Sequence, residues 1–108
     1  NTIIMADVAT IEEGIECAGA GADCISTTLS GYTPETKNKY AEGPDFNLVK
    51  ALVNQLSIPI FAEGRINTPG DAGRMIELGA WGVVAGTAIT RPNIITEWYV
   101  NEIKKSSK

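Results

Sequence analysis

The most informative absence in this 108-residue sequence is histidine, which does not occur at all. Catalytic triads and dyads that use histidine as the general base are therefore excluded within this chain. The two cysteines, Cys17 and Cys24, have no histidine nearby, and neither their number nor their spacing predicts a metal site. We expect both thiols to be buried as small apolar groups in a reducing compartment, which favours a cytoplasmic protein.

Long apolar runs and basic residues are also scarce. No apolar run is long enough to span a membrane, and no signal peptide is visible. Nine Lys and Arg stand against thirteen Asp and Glu, and the resulting net charge of −4 makes nonspecific nucleic-acid binding a poor interpretation. We therefore expect a soluble protein that binds neither nucleic acid nor membrane. The 44% hydrophobic content is enough for one modest core.

What the sequence does contain is a regular alternation of short apolar runs and helical patterns, in the order β-α-β-α-β-α-β-α. Near-continuous apolar strands of this kind predict an all-parallel sheet. Residues 28–43 form a long polar loop, and a loop of that length is usually functional. Thr10, Asp45, Thr68 and Asn93 are predicted to cap helices. The predicted strands lie within 2–7, 24–27, 59–63 and 81–85, and the predicted helices are 10–18, 45–56, 68–78 and 93–104, with one helical turn at 87–90.

An internal repeat in the sequence reduces the number of folds that fit this pattern. The Gly-Ala joint between helix and strand at 21–25 recurs at 79–83, and the first and third strands both end in an acid, Asp7 and Glu63. Such a repeat indicates a barrel built by duplication rather than a doubly wound sheet. Four βα units make half of a (β/α)8 barrel, which typically needs about 250 residues. We therefore predict one partial domain over 1–108, the C-terminal half (strands 5–8) of a TIM barrel. Its edges would be covered by the missing half or by another copy of the chain, as in a homodimer.

Two strand ends near the C-terminus carry the strongest functional signal. The apolar run 58–62 stops at Glu63-Gly64-Arg65, and the run 83–85 stops at Gly86-Thr87. Glycine lets the backbone approach a ligand closely, and N–H groups at a helix N-terminus attract anions. Two such turns after the last two strands are how (β/α)8 barrels usually hold a phosphate. Backbone geometry alone also explains tight glycine turns, so both interpretations stay open.

Charged side chains stand beside these turns. Arg91 follows the Gly86 turn by one short helical step, and a guanidinium group matches phosphate oxygens bidentately. Glu63 ends a strand at the mouth of the predicted barrel, where barrel chemistry occurs, and a carboxylate there can serve as an acid–base or orienting group. The alternative for Glu63 is an ion pair with Arg65 or another charge of the barrel.

With these residues in view, the chain resembles the bacterial N-acetylmannosamine-6-phosphate 2-epimerase family, a (β/α)8 barrel of sialic acid catabolism. The two glycine turns occur in many phosphate-binding barrels. The Thr-Thr-Leu-Ser-Gly-Tyr-Thr loop combined with Ala-Glu-Gly-Arg-Ile is far more specific to this family. In the family these segments form strands five to eight and their loops. The resemblance covers nearly the whole chain and rests on residues 5–8, 21–23, 26–33, 62–66 and 86–92.

The resemblance implies an isomerase that interconverts N-acetylmannosamine 6-phosphate and N-acetylglucosamine 6-phosphate. No cofactor is needed, because C2 lies next to the C1 aldehyde of the opened sugar, and a base can remove the C2 proton to give an enolate. The family's proton-transferring lysine lies early in the barrel, in a segment that this chain does not contain, so we expect the isolated chain to be inactive. The implied roles are catalysis by Glu63, sugar binding by Asp7, Thr28, Tyr32 and Arg65, and phosphate binding by Gly64, Gly86, Thr87 and Arg91.

Two other interpretations remain. Phosphate-binding lyase or synthase barrels, such as those of thiamine or tryptophan biosynthesis, share the glycine turns but lack the specific loop. A non-enzymatic half-barrel that folds by self-association and only binds anions is the second alternative.

Overall fold

Four parallel strands form a single sheet in the order in which they occur along the chain. The structure, a computed structural model, describes residues 1–37 and 43–107, so residues 38–42 of the predicted long loop lie outside the described part. The strands are β1 (Met5–Asp7), β2 (Cys24–Ser26), β3 (Ile60–Glu63) and β4 (Gly82–Val84). The helices are α1 (Ile11–Gly19), α2 (Phe46–Gln55), α3 (Pro69–Glu77), α4 (Thr87–Thr90) and α5 (Pro92–Ser106).

The register of the sheet joins each strand to its neighbour in sequence. Met5 pairs with Cys24, Ile25 with Ile60, and Phe61 with Gly82, all in parallel. This confirms the predicted parallel sheet. The order contains no reversal of the kind that defines a doubly wound sheet.

The hydrophobic core lies between one face of the sheet and helices α1 to α3. Because side chains alternate along a strand, Ile25, Ile60 and Ala62 point into this core, whereas Ser26 and Glu63 point to the opposite face. Burying the core residues supplies most of the stabilisation, at about 25 cal/mol for each Å² of apolar surface removed from water. The buried cluster contains Val8, Ile25, Leu48, Val49, Leu52, Ile60, Ala62, Ile66, Met75 and Ala80.

Three of the four predicted helix caps are confirmed. The Thr10 hydroxyl accepts a hydrogen bond from the Glu13 N–H at 3.2 Å, and the Thr68 hydroxyl accepts from the Asp71 N–H at 3.1 Å. The Asp45 carboxylate accepts from the N–H of residue 48 at 3.0 Å. Each cap satisfies a helix N–H that has no partner within the helix, which fixes where α1, α2 and α3 begin.

The predicted cap of the last helix is wrong. Helix α5 begins at Pro92 with Arg91 at the N-cap and no side-chain capping bond, so Asn93 lies inside the first turn. Proline has a φ angle that suits the first helical position, and that preference outweighs the capping tendency of the asparagine beside it.

Helix α5 differs from α1, α2 and α3 because none of its residues is buried. The helix contacts α4, and the described part of the chain is elongated, with extents of 55 × 26 × 24 Å. Large apolar side chains are exposed along it, including Tyr99 at 70% and Ile103 at 64%. Within the described residues, no helix is both long and apolar enough to cross a membrane.

Candidate functional site

The carboxylate of Glu63 is held at the C-terminal end of β3 by the neighbouring strand. The Ser26 hydroxyl donates a hydrogen bond to Glu63 Oε2 at 3.1 Å. The same hydroxyl oxygen accepts a hydrogen bond from the Thr28 N–H at 3.3 Å. Glu63 itself is partly exposed, so its carboxylate is oriented by the protein and still accessible from the mouth of the sheet.

A second set of bonds fixes the backbone of Glu63. The Thr27 hydroxyl donates to the Glu63 carbonyl oxygen at 3.1 Å and accepts from the Glu63 N–H at 3.1 Å. Thr27 is only 2% exposed, so these bonds are shielded from water. The ends of β2 and β3 are therefore locked together through main-chain atoms, at the point where both strands meet the candidate site.

The turn after β3 has an unusual backbone. Gly64 has a φ angle of 110°, and Arg65 follows with a φ angle of 57°, the left-handed region that residues with a side chain rarely adopt. Left-handed backbone at a residue other than glycine costs about 1–3 kcal/mol, and surrounding contacts must hold it in place.

The guanidinium group of Arg65 supplies those contacts. Its Nε donates to the Gly43 carbonyl at 2.7 Å, and its Nη1 donates to the Ser30 carbonyl at 2.8 Å. Its Cζ lies 5.3 Å from the centroid of the Tyr32 ring, which is within cation–π distance. Among the described residues no ion pair joins Arg65 to Glu63, so the two side chains are engaged with different partners.

The approach of Arg65 explains why glycine occupies position 31. A Cβ atom at Gly31 would lie 2.5 Å from Arg65 Nη1, and the φ angle there is 86°. The nearby turn is held by Thr36, whose hydroxyl accepts a hydrogen bond from the Gly31 N–H at 3.0 Å. The buried Ser30 hydroxyl also bonds to the carboxylate of Asp45, which ties the turn to the start of α2.

A cavity of about 500 Å³ opens beside Glu63 and brings together most of the residues predicted from the sequence. Seven of the nine predicted residues line it, namely Thr28, Tyr32, Glu63, Gly64, Arg65, Gly86 and Thr87. The turns after β3 and β4 therefore face one common space. Arg65 is the cationic side chain in this lining.

Asp7 and Arg91 do not line this cavity. Asp7 ends β1 and lines a separate cavity of about 240 Å³ together with Glu13 and Glu16 of α1. Arg91 is exposed and stands between α4 and α5. The ligand contacts predicted for all nine residues, these two included, stay predictions.

Sequence reasoning missed four residues of the cavity lining, which are Ile66, Asn67, Val84 and Trp98. Trp98 comes from α5 and is 37% exposed. No sequence signal marked its approach to the turns, because that depends on the direction in which α5 leaves α4. Thr27 begins the specific loop motif and Ser26 immediately precedes it, but the pattern did not show that they bond to Glu63.

No metal site is formed by the part of the chain that the structure describes, since no group of three or more His, Cys, Asp or Glu side chains there could hold an ion. The polar groups of the site are one carboxylate, one arginine already bonded to two carbonyls, hydroxyl groups and the backbone of two glycine-containing turns. These are groups that accept hydrogen bonds from hydroxyls, donate to anions and move a proton.

Comparison with known proteins identifies the family of this chain. Residues 1–105 match the NanE family model, described as "Putative N-acetylmannosamine-6-phosphate epimerase". The chain belongs to this family. One relative is the "Putative N-acetylmannosamine-6-phosphate 2-epimerase" from Clostridioides difficile. It is 51% identical over 102 residues, which cover 94% of this chain and 45% of the relative.

Solved structures agree with the family. The N-acetylmannosamine-6-phosphate 2-epimerase from Clostridium perfringens is 48% identical and superposes with a TM-score of 0.88, covering 94% of this chain and 43% of that one. A thiamine phosphate pyrophosphorylase from Pyrococcus furiosus is similar at 26% identity with a TM-score of 0.65. The chain thus spans less than half the length of the family members that it matches.

Proposed function

We propose that this chain supplies the phosphate-binding and carboxylate-bearing half of an N-acetylmannosamine-6-phosphate 2-epimerase. Its four strands would be strands 5–8 of a (β/α)8 barrel, and its place would be in cytoplasmic sialic acid catabolism. The observation that carries the proposal is the shared cavity, in which the oriented carboxylate of Glu63 and the two glycine turns face the same space.

The phosphate would bind to the turns after β3 and β4. Gly64, Gly86 and Thr87 line the cavity, and Gly86 has no atom within 4 Å of where a Cβ would be. An anion can therefore reach the N–H groups there without meeting a side chain. Arg91, at the end of the short helix α4, would swing its guanidinium toward the phosphate oxygens.

The sugar would then extend from the phosphate toward Glu63. Thr28 and Tyr32 line the cavity beside the carboxylate and offer hydroxyl groups to the sugar. Arg65 would contact the sugar through Nη2, since Nε and Nη1 already donate to carbonyls. Asp7, which ends the first strand at the same edge of the sheet, would accept hydrogen bonds from sugar hydroxyls.

The reaction would proceed by removal and return of the C2 proton. Base catalysis removes the proton next to the C1 aldehyde, an enolate forms, and a proton is delivered to the other face of C2. Glu63 would act as one acid–base group or orient the sugar for it. The second group, a lysine in the family, would come from a segment outside this chain, and no cofactor takes part.

The test is a complementation assay in D₂O. The chain is mixed with the segment of the Clostridioides difficile relative that lies outside the matched residues, giving what we call the complemented enzyme. N-acetylmannosamine 6-phosphate is added, and proton NMR follows deuterium entry at C2 and the appearance of N-acetylglucosamine 6-phosphate. We expect both in the complemented enzyme, and binding without exchange for the chain alone.

Three outcomes would count against parts of the proposal. Failure of the complemented enzyme to bind the sugar phosphate would remove the epimerase assignment. Binding of inorganic phosphate without any exchange in the complemented enzyme would favour a half-barrel that only binds anions. Exchange catalysed by the chain alone would contradict the need for a lysine from outside it.

A further inference from the structure

We propose that Ser26 is a positioning residue that sets the direction in which Glu63 presents its carboxylate to the sugar. The proposal rests on the function proposed above and adds a residue to which that function assigns no role. Ser26 is 0% exposed and donates its hydroxyl to Glu63 Oε2 at 3.1 Å. It therefore reaches the reaction only through Glu63.

A second hydrogen bond, accepted from the Thr28 N–H, helps to direct the Ser26 hydroxyl proton toward Glu63. The hydroxyl oxygen accepts the Thr28 N–H at 3.3 Å, so the hydroxyl proton is free to point at Glu63. The result is a chain of two hydrogen bonds that runs from the loop backbone through Ser26 to the carboxylate. A hydrogen bond to an ionised group is stronger than one between neutral groups, so it can select one rotamer of a partly exposed glutamate.

The position of Ser26 in the sheet places it between the two acidic strand ends. Ser26 pairs with Asp7 of β1 on one side, and its hydroxyl bonds to Glu63 of β3 on the other. A buried hydroxyl in a strand is costly unless it finds a partner, and an apolar residue would fill this position more cheaply. The bond to Glu63 gives a reason for serine here.

A purely structural role for Ser26 is weakened by its neighbour. Thr27 already locks the ends of β2 and β3 by bonding to both main-chain groups of Glu63. The Ser26 hydroxyl touches the carboxylate and not the backbone of β3, so holding the strands together does not require it. What remains for Ser26 is the orientation of the reactive group, and misplacing a catalytic group by about 1 Å can cost roughly 100-fold in rate.

The first experiment compares Ser26→Ala with Cys24→Ala in the complemented enzyme. Both substitutions remove one heavy atom from a buried residue on the same face of β2, but the Cys24 thiol donates to the Ile4 carbonyl and not to Glu63. We expect Ser26→Ala to lower kcat by roughly tenfold with KM within about twofold of the unsubstituted value. Cys24→Ala should change neither. Equal kcat values for the two variants would overturn the proposal, as would a loss confined to KM.

The second experiment needs no activity. The chain is labelled with ¹³C at the glutamate side-chain carboxyl carbon, and the Glu63 signal is assigned by its disappearance in Glu63→Gln. All spectra are recorded in one buffer at one pH, so that the variants are compared under identical conditions. We expect the Glu63 signal to move in Ser26→Ala and to stay in place in Cys24→Ala. An unmoved signal in Ser26→Ala would refute the positioning role whether or not complementation succeeds.

Discussion

The two sides of the candidate cavity are held in different ways. On the side of β2 and β3, Ser26, Thr27 and Arg65 make side-chain hydrogen bonds that fix the strand ends and the loop. On the side of β4, helices α4 and α5 contain no buried residue. The carboxylate of Glu63 is therefore oriented by bonds within the chain, whereas the side proposed to bind phosphate lies next to two helices that are not packed into the core. Four predictions test this difference, and they are given from the largest expected effect to the smallest.

The largest effect is expected at the preorganised acid. Glu63→Gln keeps the shape of the side chain but removes its charge, so we expect kcat of the complemented enzyme to fall by about 10²–10⁴-fold. Affinity for the sugar phosphate should stay within about threefold if the charge acts mainly in the transition state. Steady-state kinetics and calorimetry measure the two quantities. An unchanged turnover number would eliminate Glu63 as the acid–base group.

The next effect concerns stability on the same side. Arg65→Ala removes two charged hydrogen bonds to carbonyl groups, and we expect the free energy of unfolding of the chain to fall by about 3 kcal/mol. The matched control is Arg74→Ala, because the ion pair of Arg74 with Glu77 on α3 is exposed and such pairs contribute about 0.2–0.5 kcal/mol. Urea denaturation followed by circular dichroism compares them. Equal losses would mean that Arg65 does not hold the loop.

On the less constrained side, the expected effect is on binding. Arg91→Ala should weaken binding of the sugar phosphate to the complemented enzyme by about 1.5–3 kcal/mol if Arg91 makes a charge-assisted contact with the phosphate. Its exposure at the start of α5 means that the unfolding free energy should hardly change. Calorimetric titration measures the dissociation constant, and an unaltered value would argue against the contact.

The smallest effect is expected in α5. Ile103 is 64% exposed, so Ile103→Ser should change the free energy of unfolding of the isolated chain by less than about 0.5 kcal/mol. Leu52→Ala in the buried core is the contrasting variant, with an expected loss of about 2–5 kcal/mol. A large loss for Ile103→Ser would show that α5 is packed against another surface in solution, and would remove the contrast drawn above.

Much of this fold could be predicted because its signals are local. Thr10, Asp45 and Thr68 mark helix starts through bonds to N–H groups three residues away, and the apolar runs mark the strands. The start of α5 was missed because two local signals, Pro92 and Asn93, compete and only one can be satisfied. Strand ends could be placed at one edge of the sheet, so the grouping of Glu63 with the glycine turns followed from the parallel topology.

The rest of the site depends on side-chain directions that no pattern contains. From the sequence, Arg65 could equally have paired with Glu63 or faced a ligand. Its bonds to Gly43 and Ser30 depend on a left-handed turn that no sequence pattern predicts. In the same way, the bond from Ser26 to Glu63 joins residues far apart in the chain. Such contacts are set by register and rotamers, which become known only when strands are placed side by side.

The sequential order of the strands has a consequence for biosynthesis. Each of the three strand pairs in the described part of the chain joins segments that leave the ribosome one after the other, as Met5 with Cys24 and Phe61 with Gly82 illustrate. Among the four described strands, none has to wait for a partner within this sheet that is made much later, so each new βα unit can dock onto the growing edge while translation continues. Ribosome-stalled nascent chains of increasing length should therefore gain protease resistance in steps, one for each added unit.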